Sequence, residues 1–304
     1  MVRIVMVPLD GSELAGHALD PAAALAAHHG ARLLLVTVHE ALTATEALDR
    51  ADRNALETYL DRALARTVER WRVAAEAVML DANRRVPERL AELAQGRAVD
   101  LIVMTTHGRG SAGRAWFGSV ADYLVRTADC PILLIRPDTV ESRVGFRRIL
   151  VPLDGSAEAE LALDDLGVVD SGESEILVLR VVVPVIAFVP NLGGTGPLLT
   201  GGVLDDQRAE AERYASAVAS RLGSEGRRTR GLAVVDTSPA AAILEAADEH
   251  QSDLIVLAGR RRSGPDRFLL GSVMDKLVRQ APVPVLIRRA PGDRGREGAR
   301  PAAS

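Results

Sequence analysis

Short apolar runs alternate with longer segments of helical periodicity along nearly the whole chain. In the first half the apolar runs lie at residues 2–7, 32–38, 73–80, 100–105 and 131–136. In the second half they recur near residues 148–152, 175–182, 229–235, 253–258 and 283–288. Runs of this length between helical segments are typical of strands in βα units. Each half is therefore predicted to contain five βα units around a doubly wound, mainly parallel sheet.

Matching segments show that the second half is a copy of the first. Residues 4–12 read IVMVPLDGS, and ILVPLDGS ends at Ser156, which lies 144 residues after Ser12. The later segments DLIV and GSV of copy one return after 153 residues, so copy two carries a net insertion of nine residues. Because residues 184–204 contain PNLGGTGP and TGG, we place the insertion there and expect a loop.

The repeat divides the chain into two domains, which we expect at residues 1–140 and 146–290. Residues 137–147 join the copies, and residues 291–304 have no apolar periodicity, which predicts a disordered tail. The fifth strands, ILLIR and VLIRR, are too apolar to remain exposed sheet edges. Whether they pair within one chain or between chains stays open.

Local signals predict where some helices begin. Ser12 is a candidate N-cap of an Ala-rich helix that ends at Gly30 and that Pro21 should kink. In copy two, Ser238 precedes Pro239 and an amphipathic segment, which predicts a capped helix with proline at its first position.

Composition narrows the class of protein. The 304 residues are 47% hydrophobic, 26% charged and only 3% aromatic, which suits parallel sheets covered by Ala-rich helices. The net charge of −4 is spread without a long single-sign run, so we expect no nucleic-acid partner.

The same inventory bears on location. The one cysteine, Cys130, lies in the apolar run CPILLI, which predicts a buried, inert thiol and a cytoplasmic protein. The apolar run at the amino terminus is too short for a signal peptide, and no later run reaches membrane-spanning length.

Two turns at the carboxyl ends of strands in copy one are candidate binding positions, because ligands of open α/β sheets bind there. The first strand ends in Pro8, Leu9, Asp10 and Gly11, and the fourth is followed by a glycine-rich segment. Glycines let backbone N–H groups surround an anion, and the helix that Gly118 and Ser119 open attracts negative charge. The segment therefore predicts a phosphate site.

Each feature also has a purely structural interpretation. Gly118 and Ser119 are equally an ordinary capped helix start, and Asp10 with Gly11 is equally a turn before an N-cap. In the binding interpretation, Ser119 adds a hydroxyl donor and Asp10 accepts hydrogen bonds from a ribose or an adenine edge. Both interpretations stay open from the residues alone.

The charged residues of the glycine-rich segment are less specific. His107 has no second ligand at metal-binding spacing, so we expect it to bond to backbone and expect no metal site. Arg109 and Arg114 are either phosphate contacts or solvated loop charges.

Several familiar motifs are excluded. Lys276 is the single lysine and lies far from any GxxxxGKS pattern, which excludes the lysine mechanism of P-loop NTPases. Residues 108–113 spell GxGxxG, but they follow the fourth strand and no helix begins before Gly118, which argues against a dinucleotide-binding dehydrogenase. No GxSxG elbow supports a Ser-His-Asp triad.

Four blocks in order, each present in both copies, resemble the universal stress protein family. In copy one they read IVMVPLDGS, LLLVTV, DLIVMTTHGRG and FGSVADYLVRTADCPILLIRP. The resemblance spans residues 2–289 and is that of tandem members. It implies two tandem doubly wound α/β domains of the adenine nucleotide alpha hydrolase-like type, each a five-stranded mainly parallel sheet flanked by helices.

ATP-binding members of that family carry GxxG, nine residues, and then Gly with Ser or Thr. The second motif glycine corresponds to Gly108, the spacer to residues 109–117 and the final pair to Gly118 and Ser119, while Thr105 departs from the first glycine. The family also implies an aspartate after the first strand and an apolar residue that meets the base through its backbone. The implied ATP site comprises Pro8, Asp10, Val38, Thr105, His107, Gly108, Arg109, Gly110, Gly118, Ser119 and Val120.

Copy two departs further from the motif. Ala258 and Arg261 stand at both motif glycines. The residues that keep their places are Asp154, Val181, Gly271 and Ser272. We expect copy two to be a degenerate partner that binds nothing or a different anion.

The resemblance implies a cytoplasmic, ATP-binding stress-response regulator with Mg²⁺ beside the phosphates. Little or no turnover is expected, because no base stands beside a cationic clamp and a metal-binding carboxylate. Two alternatives remain: a slow ATPase or self-phosphorylating enzyme using Ser119 or Ser111, and an interaction scaffold without nucleotide. Expected partners are ATP and an unidentified protein, with the repeats forming a pseudo-dimer, a homodimer left open, and no membrane.

Overall fold

The computed structural model describes residues 1–41, 45–82, 84–106, 118–136, 145–184, 187–191, 194–198, 201–259 and 271–290. Copy one consists of β1 (Ile4–Leu9), α1 (Glu13–Gly16), α2 (Leu19–His29), β2 (Arg32–His39), α3 (Glu46–Trp71), β3 (Ala75–Asp81), α4 (Val86–Gly96), β4 (Leu101–Thr105), α5 (Ser119–Thr127) and β5 (Ile132–Ile135). Copy two consists of β6 (Phe146–Pro152), α6 (Ala157–Asp164), α7 (Leu166–Val169), β7 (Asp170–Val182), β8 (Ala187–Asn191), β9 (Gly194–Leu198), α8 (Gly201–Ser224), β10 (Arg228–Val235), α9 (Pro239–Glu249), β11 (Leu254–Gly259), α10 (Ser272–Gln280) and β12 (Val285–Arg289).

Ten strands form one continuous sheet in the order β10-β7-β6-β11-β12-β5-β4-β1-β2-β3. Within each copy all neighbours are parallel, which confirms the predicted doubly wound, five-stranded α/β fold. The fifth strands β5 and β12 pair antiparallel within the chain, and they cover each other's apolar edges. The question that the sequence left open is answered by this junction.

Two apolar layers cover the two faces of the sheet. Along β2, Leu33 and Leu35 belong to one layer, whereas Leu34 and Val36 belong to the other, as the alternation of side chains along a strand requires. Each layer contains residues of both copies, so the copies share their hydrophobic core. Burial on both faces explains why these strands read as continuous apolar runs in the sequence.

Helix starts follow the predictions in part. The Ser12 hydroxyl accepts a hydrogen bond from the amide of Ala15 at 3.1 Å, as an N-cap does. The predicted kink at Pro21 was wrong, because the helix breaks earlier, between α1 and α2, and Pro21 lies in the first turn of α2. A missing N–H costs nothing in that turn. Ser238 precedes Pro239 as predicted, but its amide donates to Asp236 Oδ1 at 2.6 Å and its side chain makes no capping hydrogen bond within the described chain.

The sequence predicted a loop for the insertion of copy two, and this prediction was wrong. Strands β8 and β9 form an antiparallel hairpin, and α8 already begins at Gly201. Most of the turn-forming residues of PNLGGTGP lie within these two strands. Most of the predicted linker, residues 137–144, and the predicted tail, residues 291–304, lie outside the described residues. Among the helices that the structure describes, none is long and apolar enough to cross a membrane.

Candidate functional site

A crevice opens in copy one where β1 separates from β4. The two strands pair only through Val5 with Leu101 and Met6 with Ile102, whereas β1 continues to pair with β2 as far as Leu9. Pro8 lies beyond the last pair with β4 and has no N–H to donate to that strand. The proline therefore marks the point where the sheet divides and where α/β folds bind ligands.

The turn after β1 forms one wall of the crevice. Asp10 Oδ1 accepts hydrogen bonds from the amide of Ser12 at 2.9 Å and from its hydroxyl at 2.6 Å. Gly11 between them has φ = 82°, a left-handed conformation that favours glycine. The structural interpretation of Asp10 and Gly11 as a turn before an N-cap is thus correct, and Oδ1 of Asp10 is engaged in it.

The opposite wall comes from the ends of the glycine-rich segment. Thr105 is the last residue of β4 and is buried, so it belongs to the sheet and not to a loop. The Thr106 carbonyl accepts a hydrogen bond from the Gly118 amide at 3.0 Å. Residues 107–117, which include His107, Gly108, Arg109, Gly110 and Arg114, lie outside the described residues. Both ends of this segment are therefore held at the carboxyl end of β4.

Helix α5 begins at this wall. Gly118 is its N-cap with extended backbone, and the first intrahelical hydrogen bond runs from Asp122 N to Gly118 O at 2.8 Å. The amides of Ser119, Val120 and Ala121 precede that bond, so the helix itself does not use them. Because the Gly118 amide already bonds to Thr106, an anion at this wall would meet the next three amides.

Val38 lies on the far side of β1 from α5. It is half-buried near the end of β2 and packs into the apolar layer that also contains Val36. The sheet order β4-β1-β2 thus brings all seven described site residues of copy one to one edge. These residues are Pro8, Asp10, Val38, Thr105, Gly118, Ser119 and Val120.

Copy two has a cleft of ≈ 1210 Å³ at the matching edge. Its lining contains all four of the residues that keep their places from copy one, as well as Ala258. Those four are Asp154, Val181, Gly271 and Ser272. The fold therefore preserves a cavity there although the glycine motif is lost, and Arg261 lies outside the described residues.

The turn of copy two differs from its counterpart through Arg180, which replaces Thr37. The Arg180 guanidinium donates to the Leu153 carbonyl at 3.4 Å and packs beside Gly155. Nearby atoms partly exclude water from Asp154, but hydrogen bonds from Ser156 and the charge of Arg180 outweigh this and hold the pKa of that carboxyl below its ordinary value. Copy two therefore carries an additional cation beside its turn.

The wall of the cleft at the start of α10 also differs from the matching wall of copy one at the start of α5. Met274 on α10 stands where copy one has Ala121, and Gly259 stands where it has Thr106. A Cβ on Gly259 would lie 2.6 Å from the Met274 methyl carbon, so the small residue makes room for the large one. Met274 also lines the cleft and fills part of the space beside the first turn of α10.

The described residues include neither a metal-binding group nor a reactive thiol. No group of three or more His, Cys, Asp or Glu side chains there could hold a metal ion. Cys130 is half-buried, and the exclusion of water from its thiol raises its pKa to about 12, in line with the predicted inert thiol.

Sequence reasoning missed two features of the copy one crevice. One is Thr106, whose carbonyl joins the two ends of the glycine-rich segment; a backbone contact of this kind leaves no residue signature. The other is His39, which follows Val38 and is buried among aspartates from α3 and β3. A histidine directly after the apolar end of a strand was the one visible signal of this feature. The aspartates that surround His39 lie farther along the chain, so the sequence alone did not indicate them.

Comparisons with known proteins agree with this architecture. The family model described as "Universal stress protein family" matches residues 1–136 and again residues 145–289. A universal stress protein of Thermus aquaticus is 36% identical over 146 residues, which are 45% of this chain and 100% of that protein. A universal stress protein of Mycobacterium tuberculosis is 29% identical over 197 residues, which are 62% of each chain.

A solved structure shows the same fold at full length. The universal stress protein from Archaeoglobus fulgidus DSM 4304 superimposes with a TM-score of 0.68 at 20% identity, covering 94% of this chain and 98% of that one. Two family matches in tandem, on a sheet built from two equivalent halves, leave one conclusion. The chain belongs to the universal stress protein family and consists of two such domains in tandem.

Proposed function

We propose that copy one binds ATP, with Mg²⁺ beside the phosphates, and that the protein is a cytoplasmic stress-response regulator with little or no ATP turnover. The observation that carries the proposal is the position of the α5 N-terminus. Its first amides lie across the crevice from the Asp10 turn, and the ends of the glycine-rich segment meet beside them. Backbone amides at a helix start bind phosphate oxygens.

The dimensions of the crevice support an extended ligand. The N-terminus of α5, where we place the phosphates, follows β4, whereas Val38 lies on β2, two strands away. Adjacent strands are about 4.8 Å apart. A nucleotide spans such a distance with its phosphates at α5 and its base at β2. Asp10, after the strand between them, then lies beside the ribose.

Low turnover follows from the side chains that would surround the phosphates. Rapid phosphoryl transfer needs a positioned base, a cationic clamp and metal-holding carboxylates. Within the described residues of this wall, α5 offers Ser119 and backbone amides, while Oδ1 of Asp10 is engaged with Ser12. Such a set holds a nucleotide but gives little help to an attacking water.

For copy two we propose a degenerate role, so that each chain binds one ATP. Met274 occupies space beside the first turn of α10, and Arg180 places positive charge at the turn side of the cleft instead of the helix side. We further propose that the two domains comprise residues 1–140 and 146–290 and form a pseudo-dimer. This pseudo-dimer also binds an unidentified protein partner.

Mass spectrometry of the gently purified, full-length protein under native conditions tests this function. Co-purifying ATP supports the regulator. ADP in the site, or phosphate on Ser119 or Ser111, would instead support a slow ATPase or a self-phosphorylating enzyme. An empty site that stays empty after incubation with MgATP would leave an interaction scaffold.

A further inference from the structure

A buried histidine lies among three carboxylates at the carboxyl ends of β2 and β3. The side chain of His39 is 4% exposed, and its Nε2 lies 3.4 Å from Asp49 Oδ1 and 3.8 Å from Asp52 Oδ2. Its Nδ1 lies 3.9 Å from Asp81 Oδ1. We call His39, Asp49, Asp52 and Asp81 the His39 cluster.

The cluster contains buried polar atoms that make no hydrogen bond within the described residues. Nε2 of His39 and Oδ1 of Asp49 lie 3.4 Å apart, yet neither has a hydrogen-bond partner within the described chain. Arg53 pairs with Asp81 and Glu57 and does not compensate these two atoms. Buried polar atoms are costly without partners, so their presence at the wall of a crevice points to a ligand.

Copy two shows that the fold does not require this cluster. With Tyr59 matched to Tyr214, Val182, Leu204 and Gln207 occupy the positions of the first three cluster residues. Val182 and Leu204 pack together in a small apolar cluster instead. Val182 and Gln207 also line the cleft of copy two. By this correspondence, His39 and Asp52 lie at the wall of the crevice of copy one.

We propose that the His39 cluster reads the base of the nucleotide bound by copy one, an inference that rests on the proposed ATP site. Asp52 is half exposed and presents a carboxylate beside the end of β2, and its Oδ2 lies 3.8 Å from the buried Nε2 of His39. A carboxylate accepts a hydrogen bond from the exocyclic amino group of adenine. It repels the carbonyl oxygen that hypoxanthine carries at the same ring position.

The electrostatics of the crevice agree with this orientation. The α5 N-terminus, which attracts anions, follows β4, and the acidic cluster follows β2 and β3. The two ends are separated by two strand spacings, about 10 Å. A nucleotide that enters with its phosphates at α5 therefore keeps its charge away from the carboxylates and brings its base to them.

Calorimetric titration of the full chain with ATP and with ITP, which has the 6-oxo group, tests the inference. Wild type binds ATP more tightly, and Asp52→Ala lowers the ATP-to-ITP affinity ratio roughly ten-fold, the effect of one hydrogen bond to a charged group. Asp61→Asn, an exposed carboxylate change on the same helix outside the cluster, leaves the ratio at its wild-type value.

A triple variant guards against a folding artefact. His39→Val, Asp49→Leu and Asp52→Gln together install the residues of copy two, so the variant is expected to fold and to lose the same discrimination. A folded Asp52→Ala protein that keeps the wild-type ratio would overturn the assignment and leave the ATP site standing. Failure of wild type to bind either nucleotide would remove the proposed site itself.

Discussion

Leu133 of β5 pairs with Leu286 of β12, which is its own counterpart 153 residues later. Self-pairing of equivalent residues in an antiparallel junction gives the ten-stranded sheet an approximate two-fold axis at this point. The carboxyl ends of the two sets of parallel strands therefore point in opposite directions. The crevice of copy one and the cleft of copy two open at opposite edges of the sheet.

The junction should contribute strongly to stability. Leu133 is completely buried, so Leu133→Ala removes packed side-chain atoms and leaves a cavity. We expect the free energy of unfolding to fall by about 2–5 kcal/mol. Urea denaturation followed by circular dichroism measures this. Leu48→Ala, at a leucine that is 60% exposed on α3, is the control and should change stability by less than about 0.5 kcal/mol.

A buried carboxylate in copy two should make stability depend on pH. Asp165 is 4% exposed, and burial raises its pKa to about 6, although Arg288 Nη1 lies 2.8 Å from its Oδ1. The folded protein therefore holds this proton more firmly than the unfolded chain, in which the pKa is about 4. Stability from this group is complete below pH 4 and is lost as the pH rises towards 6.

Asp165→Asn should flatten the stability profile in that window. The difference between the wild-type and variant profiles amounts to up to about 3 kcal/mol, since one pKa unit corresponds to about 1.4 kcal/mol. Thermal or urea unfolding at several pH values between 4 and 7 measures it. Asp164→Asn, at the exposed neighbour, serves as the control, and identical slopes in both variants would refute the assignment to Asp165.

How much of the molecule the sequence could predict depends on the range of the interactions. The strands were predicted to within a few residues in most cases, because burial on both faces leaves a continuous apolar run. The Asp10 turn and the start of α5 were also predictable, since each depends on residues that are adjacent in the chain. Local chemistry of this kind is visible in any single sequence.

Features that depend on distant residues were not predictable. The His39 cluster joins a strand end to a helix that begins several residues later and to the neighbouring strand. Copy two has Met274 where copy one has Ala121, and Gly259 at the end of β11 makes room for the larger side chain. This compensation is evident only once α10 is packed against β11. The break before α2 and the β8–β9 hairpin likewise differ from what the local proline and glycine signals predicted.

The tryptophans offer an optical test of the site. Trp116 belongs to the spacer before Gly118, whereas Trp71 ends α3 and donates from Nε1 to Asp20 at 2.8 Å. Binding of ATP should change the fluorescence of Trp116, so Trp71→Phe should retain the response and Trp116→Phe should lose it. A Trp71→Phe protein whose emission ignores saturating ATP would contradict the position of the site.

The number of ATP molecules bound per chain shows whether copy one alone binds the nucleotide. Gly118 and Gly271 are matched N-caps with φ near −60°, a value that valine tolerates, and a Cβ on Gly118 comes no closer than 3.4 Å to Thr106 O. Calorimetric titration should give one site in wild type and in Gly271→Val, and none in a folded Gly118→Val protein, because the branched side chain enters the phosphate position. Two sites of similar affinity in wild type, with one of them lost in Gly271→Val, would instead show that both copies bind ATP.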